Sequence, residues 1–366
     1  MESSKRRIAI ISYNRVDCAC GGIEDHLFQL VKGLSLRNFT FHVYYAVNED
    51  FEKSIEELSK YCIPIGVNLI LPYGHPFRKI EFNLRVRKKI SNQVYDVIQL
   101  NGDNGFIGNY SNVISVQYGA TTLVKVLKYG ERNVIKSLFH LILSIPSIFF
   151  EMYGMSVAQN IVLDNESPKQ VIKSIFPTKK ISIIYDLIDL QAFRNNLGSK
   201  MKPPKAETPN KEVYAIWVST SPAKGLEDAM AAIEDTNSTT LLVVGFKPAK
   251  ESKKVIYLGY LSHEKLAKYL KLSDYLILPS RKRAIDLVVI EAISCGIIPV
   301  LYRSAYSFLF NDNQAFLAND LKDLKKVVRE IDLDPQILKN KNAESVLFKF
   351  LPEAILSQYS NLYEEI

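Results

Sequence analysis

Residues 280–300 read SRKRAIDLVVIEAISCGIIPV, and the order of residue types lays out one crossover between two strands. A strand-like run over residues 274–278, apolar after Asp274, ends at Pro279-Ser280, and a basic loop follows with Arg281, Lys282 and Arg283. A mostly apolar stretch then runs from Leu287 to Ser294, Gly296 stops it, and a second strand-like run covers residues 298–302. Glycine just past such a segment is a helix stop, so the unit is strand, loop, helix, strand. Apart from Asp274, both strand runs are continuously apolar, the pattern of strands covered on both faces in a parallel sheet. Asp286, immediately before the helix, is placed as its N-cap. Glu291 is the one carboxylate among Leu, Val, Ile and Ala, and a charge so placed is costly unless paired or bound. A partner in the core and the hydroxyls of a ligand are the two ways to satisfy it.

The same alternation extends outward in both directions. Residues 8–12, 40–46, 67–71, 96–100, 113–117 and 160–164 have strand character in the first half, and 181–185, 213–218, 240–244 and 255–258 in the second. Leu27, Leu30, Val31 and Leu34 repeat at helical spacing, as do Leu321, Leu324 and Val328. Strands alternating with helices along the whole chain mean doubly wound α/β architecture with right-handed crossovers. A length of 366 residues suits two or three domains. The proline- and lysine-rich stretch 195–211 is a linker or loop. The simplest arrangement has two Rossmann-like domains, 1–180 and 181–351, whose parallel sheets face a cleft. The amphipathic segment 352–366 is expected to pack back on either domain and is grouped with the first. Ligands of such sheets sit outside the carboxyl ends of the strands.

Charge and cysteine content narrow the function. The net charge of +7 is mild, well short of a dedicated nucleic-acid binder. Residues 1–185 carry 22 basic and 16 acidic side chains, against 24 and 23 in 186–366. The excess sits in residues 78–89, where Arg78, Lys79, Arg85, Arg87, Lys88 and Lys89 face one acid, Glu81. That patch is either a solvated helix face or a footprint for an anionic surface such as a membrane leaflet. Cys18 and Cys20 have no following pair, so neither a zinc site nor a disulfide framework is expected. Residues 1–7 are polar and do not form a signal peptide. The uncharged run 137–150 is shorter than the roughly 20 residues of a spanning helix and is expected as a buried or interfacial helix. A cytoplasmic protein, at most at the inner face of the membrane, is the expectation.

Pro279-Ser280, Leu287 to Ala292 (LVVIEA), Cys295-Gly296 and Pro299-Val300 together resemble the donor-site motif of glycosyltransferase family 4, retaining enzymes of GT-B fold that need no metal or other cofactor. Gly21-Gly22-Ile23-Glu24 is similar to the family's N-terminal loop, and Lys224-Gly225-Leu226 to its lysine motif. Residues 241–245 (LLVVG), Leu258-Gly259, Asp189 and Phe193 fall in matching order. The resemblance implies transfer of a sugar, with retention, from a nucleotide-sugar donor to a hydroxyl of a glycan or lipid-linked acceptor. It implies that Glu291 holds the ribose hydroxyls and Lys224 neutralises the leaving diphosphate. Gly21, Gly22, Ser219, Leu287 and Val288 would line the donor, and Tyr118 the acceptor side; Asp103, read from its own context after a strand end, is an acceptor-side contact or simply a turn residue. Independently of that resemblance, glycines before a helix let amides approach an anion, although Gly-Gly there is also an ordinary turn.

Several positions depart from the family pattern. Arg283 stands where the family's first glutamate contacts the donor sugar, Ala284 and Asp286 replace glycines, Ser219 replaces an arginine, and Tyr118 a histidine. Arg283 is then either a phosphate or acidic-sugar contact, since a guanidinium pairs with such groups in bidentate fashion, or the mark of an inactive GT-B protein serving as a binding or scaffolding partner. A nucleotide-sugar epimerase on the same fold is a third reading. Asp186 and Asp189 are an acid–base pair or turn residues, and His26 and His263 are expected to be structural.

Overall fold

The computed structural model describes residues 5–16, 22–47, 56–75, 77–105, 108, 110–118, 134–195, 213–246 and 254–366, the side chains of 134–143 and 195 excepted. The chain divides into two compact units, Met1–Ile188 with Pro352–Ile366, and Asp189–Leu351.

The first unit is built on strands β1 (Arg6–Ile11), β2 (Phe39–Ala46), β3 (Ile63–Val67), β4 (Val97–Asn101), β5 (Val113–Gln117), β6 (Asn160–Leu163) and β7 (Lys180–Ile183). They lie in the order β3-β2-β1-β4-β5-β6-β7, each pair parallel. Successive side chains of a strand point to opposite faces, and β1 shows what this does. Ile8 and Ile10 pack under helix α1 (Gly22–Ser35), while Ala9 and Ile11 pack with Phe82, Val86 and Ile90 of α2 (Arg78–Ile90). Leu27, Leu30, Val31 and Leu34 are the buried stripe of α1, as their spacing demands. Residues 352–365 return as a helix whose Ile355, Leu356, Tyr359, Leu362 and Tyr363 complete that same core.

The second unit has β8 (Val213–Val218), β9 (Thr239–Val244), β10 (Val255–Gly259), β11 (Tyr275–Leu278), β12 (Ile298–Tyr302) and β13 (Phe316–Ala318), ordered β10-β9-β8-β11-β12-β13 and again wholly parallel. Every residue of β9 and β11 is buried, which accounts for the apolar runs 241–244 and 275–278. In each sheet the winding reverses once, between β1 and β4 and between β8 and β11.

Three elements differ from the sequence pattern. The run 181–185, assigned there to the second domain, pairs as β7 with β6 of the first sheet, so residues 181–188 belong to the first unit. The third strand is residues 63–67 instead of 67–71. It contains Pro64 and Gly66 but lies at the sheet edge, where a missing N–H is tolerated. The amides of Ile70 and Leu71 donate to the Glu81 carboxylate at 2.7 and 2.9 Å instead of to a neighbouring strand. β13, three residues long, has no sequence signal of its own. The run 137–150 forms part of a longer helix, Val134–Val157, with Phe150 buried and Ile145 and Phe149 exposed. Among the described residues, no helix is long and apolar enough to cross a membrane.

Candidate functional site

The reversal of winding between β8 and β11 puts two loops side by side at the carboxyl ends of these strands, the usual location of ligands in such sheets. The loop after β8 closes in a 3-10 turn, Pro222–Lys224, followed by Gly225 and the helix Leu226–Glu234. Gly225 has φ +85°, and a Cβ there would lie 2.2 Å from the Pro279 carbonyl oxygen. Glycine is therefore what lets the β8 loop touch the β11 loop. Gly245, at the end of β9, repeats the device, with φ +85° and its would-be Cβ 2.6 Å from the Ser219 oxygen.

Lys224 and Asp286 meet across this contact as an ion pair between Nζ and Oδ1. The second oxygen of Asp286 accepts a hydrogen bond from the Tyr306 hydroxyl, which arrives on the short helix Arg303–Tyr306 after β12. Burial and the adjoining Asp286 carboxylate hold the Tyr306 phenol well above the usual tyrosine range. Asp286 does occupy the N-cap position of Leu287–Ser294, but its side chain makes no capping bond. Lys224 and Tyr306 take the carboxylate instead, which corrects the expectation of a simple cap. The indole Nε1 of Trp217 donates to the Lys224 carbonyl at 3.3 Å, tying the turn to β8.

The basic loop is held from one side. Arg281 pairs with Asp228 at 2.6 Å, the Tyr302 hydroxyl donates to the same carboxylate oxygen at 2.8 Å, and the guanidinium sits 4.8 Å from the Tyr302 ring centroid. Burial and the Asp228 carboxylate raise the Tyr302 phenol. Lys282 is exposed and its amide donates to Ser280 Oγ at 3.3 Å. Arg283 is half-buried, and its Nε is a buried donor with no hydrogen-bond partner. Leu287 and Val288 open the helix, and Glu291 follows one turn later, half-buried. Burial above all, with Glu291 adding to it, pushes the Cys295 thiol up to about 11, so this cysteine is an inert thiol. Ser219 Oγ accepts the Ser221 amide at 3.1 Å. Lys224, Ser219, Arg283, Leu287, Val288 and Glu291 thus all belong to two adjoining loops and one helix. Sequence reasoning singled out neither Tyr306 nor Asp228; each is an ordinary residue of its own helix until the fold brings it to this corner.

In the first unit, Gly21 lies outside the described residues, as do Cys18 and Cys20, and Gly22 is the exposed first residue of α1. Asp103 follows β4 and is paired with Lys79 at 2.7 Å. The Tyr118 hydroxyl, after β5, donates to Asn101 Oδ1 at 2.9 Å, and burial raises its phenol. His26 is fully buried: its Nδ1 accepts the Leu187 amide at 2.7 Å and its Nε2 lies 3.4 Å from the Tyr359 hydroxyl. Burial lowers its pKa to about 3. Asp186 lies 3.8 Å from His26, and burial together with Asp164 raises its carboxyl far above the usual range. Asp189 accepts the Ala192 amide at 3.0 Å, a capping role. The patch 78–89 is less basic at its surface than in sequence. Arg78 is buried, bonded to Leu71 O, Tyr13 Oη and Val47 O, while Lys79 is paired with Asp103 and Arg85 with Glu81. Lys88 and Lys89 remain exposed.

Residues 214–332 match the family described as Glycosyl transferases group 1. N-acetyl-alpha-D-glucosaminyl L-malate synthase of Bacillus anthracis is 23% identical over 211 residues, 52% of this chain and 55% of that protein, so the match spans little more than half of that relative. Over the whole chain the fold is similar to that of sucrose-phosphate synthase from Thermosynechococcus elongatus, with TM-score 0.76, 19% identity and 99% of both chains covered. It is similar too to HepE of Anabaena, solved in complex with UDP and glucose, with TM-score 0.68, 15% identity and 99% and 100% of the two chains covered. The chain thus has the GT-B fold, resembles the glycosyltransferases of family 4, and matches the Glycosyl transferases group 1 family over residues 214–332.

Proposed function

We propose that the protein is a glycosyltransferase that moves a sugar, with retention, from a nucleotide-sugar donor to a hydroxyl of a glycan or lipid-linked acceptor, without a metal. The observation that carries this reading is the corner at the β8/β11 switch point, where Lys224, the loop bearing Arg283 and the helix bearing Glu291 adjoin. In such a transfer the carbon–oxygen bond to the diphosphate lengthens and negative charge grows on the departing oxygen. Fixed cations and helix-terminal amides are the groups that stabilise it. Lys224 and Arg283 supply the cations, and the amides of Leu287 and Val288 the dipoles. Glu291, as a carboxylate, accepts hydrogen bonds from the ribose hydroxyls. Ser219, in the loop before Lys224, adds a donor contact, and Asp103 and Tyr118 of the first unit are the proposed acceptor-side residues.

Arg283 has a further role in this reading. Its unpartnered Nε suits an anionic group on the ligand, either phosphate or an acidic sugar. The test is a donor screen by mass spectrometry with neutral and acidic sugars on uridine, guanosine and adenosine diphosphates, uridine first because HepE was solved with UDP. Glu291→Ala is expected to weaken nucleotide binding by at least tenfold in calorimetry. Nucleotide binding unchanged in E291A refutes the assignment, and turnover of neutral donors alone removes the acidic-sugar role of Arg283.

A second reading, a GT-B protein that binds a partner without transferring sugar, draws on the ion pair that already occupies Lys224. Absence of nucleotide binding at millimolar concentration selects it. The reading also includes contact with an anionic membrane surface at the cytoplasmic face through α2, where Phe77, just before the helix, Leu84 and Lys88 share one exposed face. Lys88→Glu with Lys89→Glu is expected to abolish sedimentation with phosphatidylserine vesicles; unaltered sedimentation removes that contact.

A further inference from the structure

We propose that Asp286 is a resident counter-ion of the site: it holds Lys224 where a ligand's phosphate would otherwise go, and through that lysine it sets how weakly a free diphosphate is retained. The inference rests on the nucleotide-sugar reading above and assigns Asp286 a positioning role within it.

The geometry of the corner carries the argument. Of the two partners, the Asp286 side chain is 6% exposed and the Lys224 side chain 34%. The carboxylate is therefore the embedded member and the amine the one that solvent, or a ligand, reaches. Tyr306, itself fully buried, donates to the other carboxylate oxygen and fixes the group from behind. The side chain leaves the amides of its own helix uncapped, although capping them is the commonest use of an aspartate at that position. An anion entering the switch point must share Lys224 with this carboxylate or displace it.

That competition does not act equally on substrate and product. A free nucleoside diphosphate has a terminal phosphate whose second ionisation lies near pH 6, so at neutral pH it carries about one more negative charge than its sugar ester. A fixed carboxylate next to the binding cation repels the more highly charged species more strongly. Asp286 thus favours the nucleotide sugar over the nucleoside diphosphate left after transfer, and hastens release of the product.

The test is calorimetry on the full chain with inorganic pyrophosphate, UDP, GDP and ADP. Asp286→Asn is expected to bind pyrophosphate about tenfold tighter than wild type, or about 1.4 kcal/mol. Lys224→Gln is expected to cost about tenfold in pyrophosphate affinity in the D286N background, where the freed amine faces the ligand. A D286N chain that binds no tighter, or one in which K224Q costs nothing, overturns the proposal; a purely structural role for Asp286 would not tighten pyrophosphate binding. Should D286N fail to fold, the wild-type chain carries the test through the reactivity of Lys224 toward acetic anhydride. It is expected at under about a tenth of that of exposed Lys88, and equal reactivity overturns the proposal. Tighter pyrophosphate binding by D286N without turnover of any donor leaves the inference standing and removes the sugar-transfer reading. Turnover with unchanged pyrophosphate affinity removes the inference alone.

Discussion

Lys224→Ala and Asp286→Asn break the same ion pair, yet they should cost very different amounts of stability. Lys224→Ala leaves a carboxylate that is 6% exposed, with the Tyr306 hydroxyl as its remaining side-chain donor among the described residues. Removing one partner of a buried pair costs about 3–5 kcal/mol when the other charge is left stranded. The tyrosine bond and the partial exposure of this corner put the expected value at the lower end, about 3 kcal/mol. Asp286→Asn instead leaves an amine that is 34% exposed and turns to water, while the new amide oxygen still accepts from Tyr306. Its expected cost is that of a surface pair, about 0–1 kcal/mol. The difference, about 2 kcal/mol, equals about 1 M in urea midpoint at a slope near 2 kcal/mol/M. Trp217 makes the assay specific: it is the chain's one tryptophan, fully buried in the second unit and bonded to the Lys224 carbonyl. Its fluorescence therefore reports unfolding of that unit. Equal midpoints for the two variants, or a lower one for D286N, would refute the assignment of Asp286 as the embedded partner.

Gly225→Ala should cost about 3 kcal/mol by the same fluorescence, because a left-handed backbone angle and a backbone collision add. Gly296→Ala, at φ +84° with open space around it, should cost only about 1 kcal/mol. His26 is neutral in the folded chain down to about pH 3, whereas its unfolded imidazole protonates near 6.5. The unfolded chain thus takes up the extra proton first, and stability falls with decreasing pH between those values, by at most about 1.4 kcal/mol per unit. Asp186, whose carboxyl is raised above its unfolded 3.8, acts in the opposite sense and loses stability as pH rises. His26→Asn keeps an acceptor for the Leu187 amide, so between pH 7 and 5 its deficit relative to wild type should shrink by about 2 kcal/mol in urea titrations; an unchanged deficit contradicts the buried neutral imidazole. Tyr363→Phe strands Gln99 Oε1 inside the first unit and should cost about 1–2 kcal/mol, measured by circular dichroism.

Continuous apolar runs such as 213–218 and 298–302 identify buried parallel strands because nothing but burial on both faces sustains such a pattern. β3 escapes because its position at the edge makes Pro64 acceptable, and no residue announces that it is at an edge. β7 is legible as a strand, but which sheet receives it depends on pairing with β6, a long-range fact. At the site, Glu291 and Lys224 stand out by type and context. The engagement of Lys224 by Asp286 does not, since the two are separated by 62 residues and meet only through the β8/β11 pairing. Conversely, Arg78 looks like surface charge in sequence and proves to be an internal tie, because Leu71, Tyr13 and Val47 supply it with three oxygens.

The helix Pro352–Glu365 belongs to the first unit although the whole second unit precedes it in the chain. During synthesis the second unit therefore has all its residues before the first does. At about 5–20 residues per second, the face of the first sheet that awaits Tyr359 and Tyr363 stays uncovered for some seconds after Ile188 has been made. Leu356 must then seat against Gly33, whose missing side chain leaves room for it, so any residue larger than glycine at 33 should slow the closing step of folding and lengthen exposure of that apolar face to chaperones. The order of closure is written into the covalent path of the chain, and it makes a later-made segment the lock on an earlier-made domain.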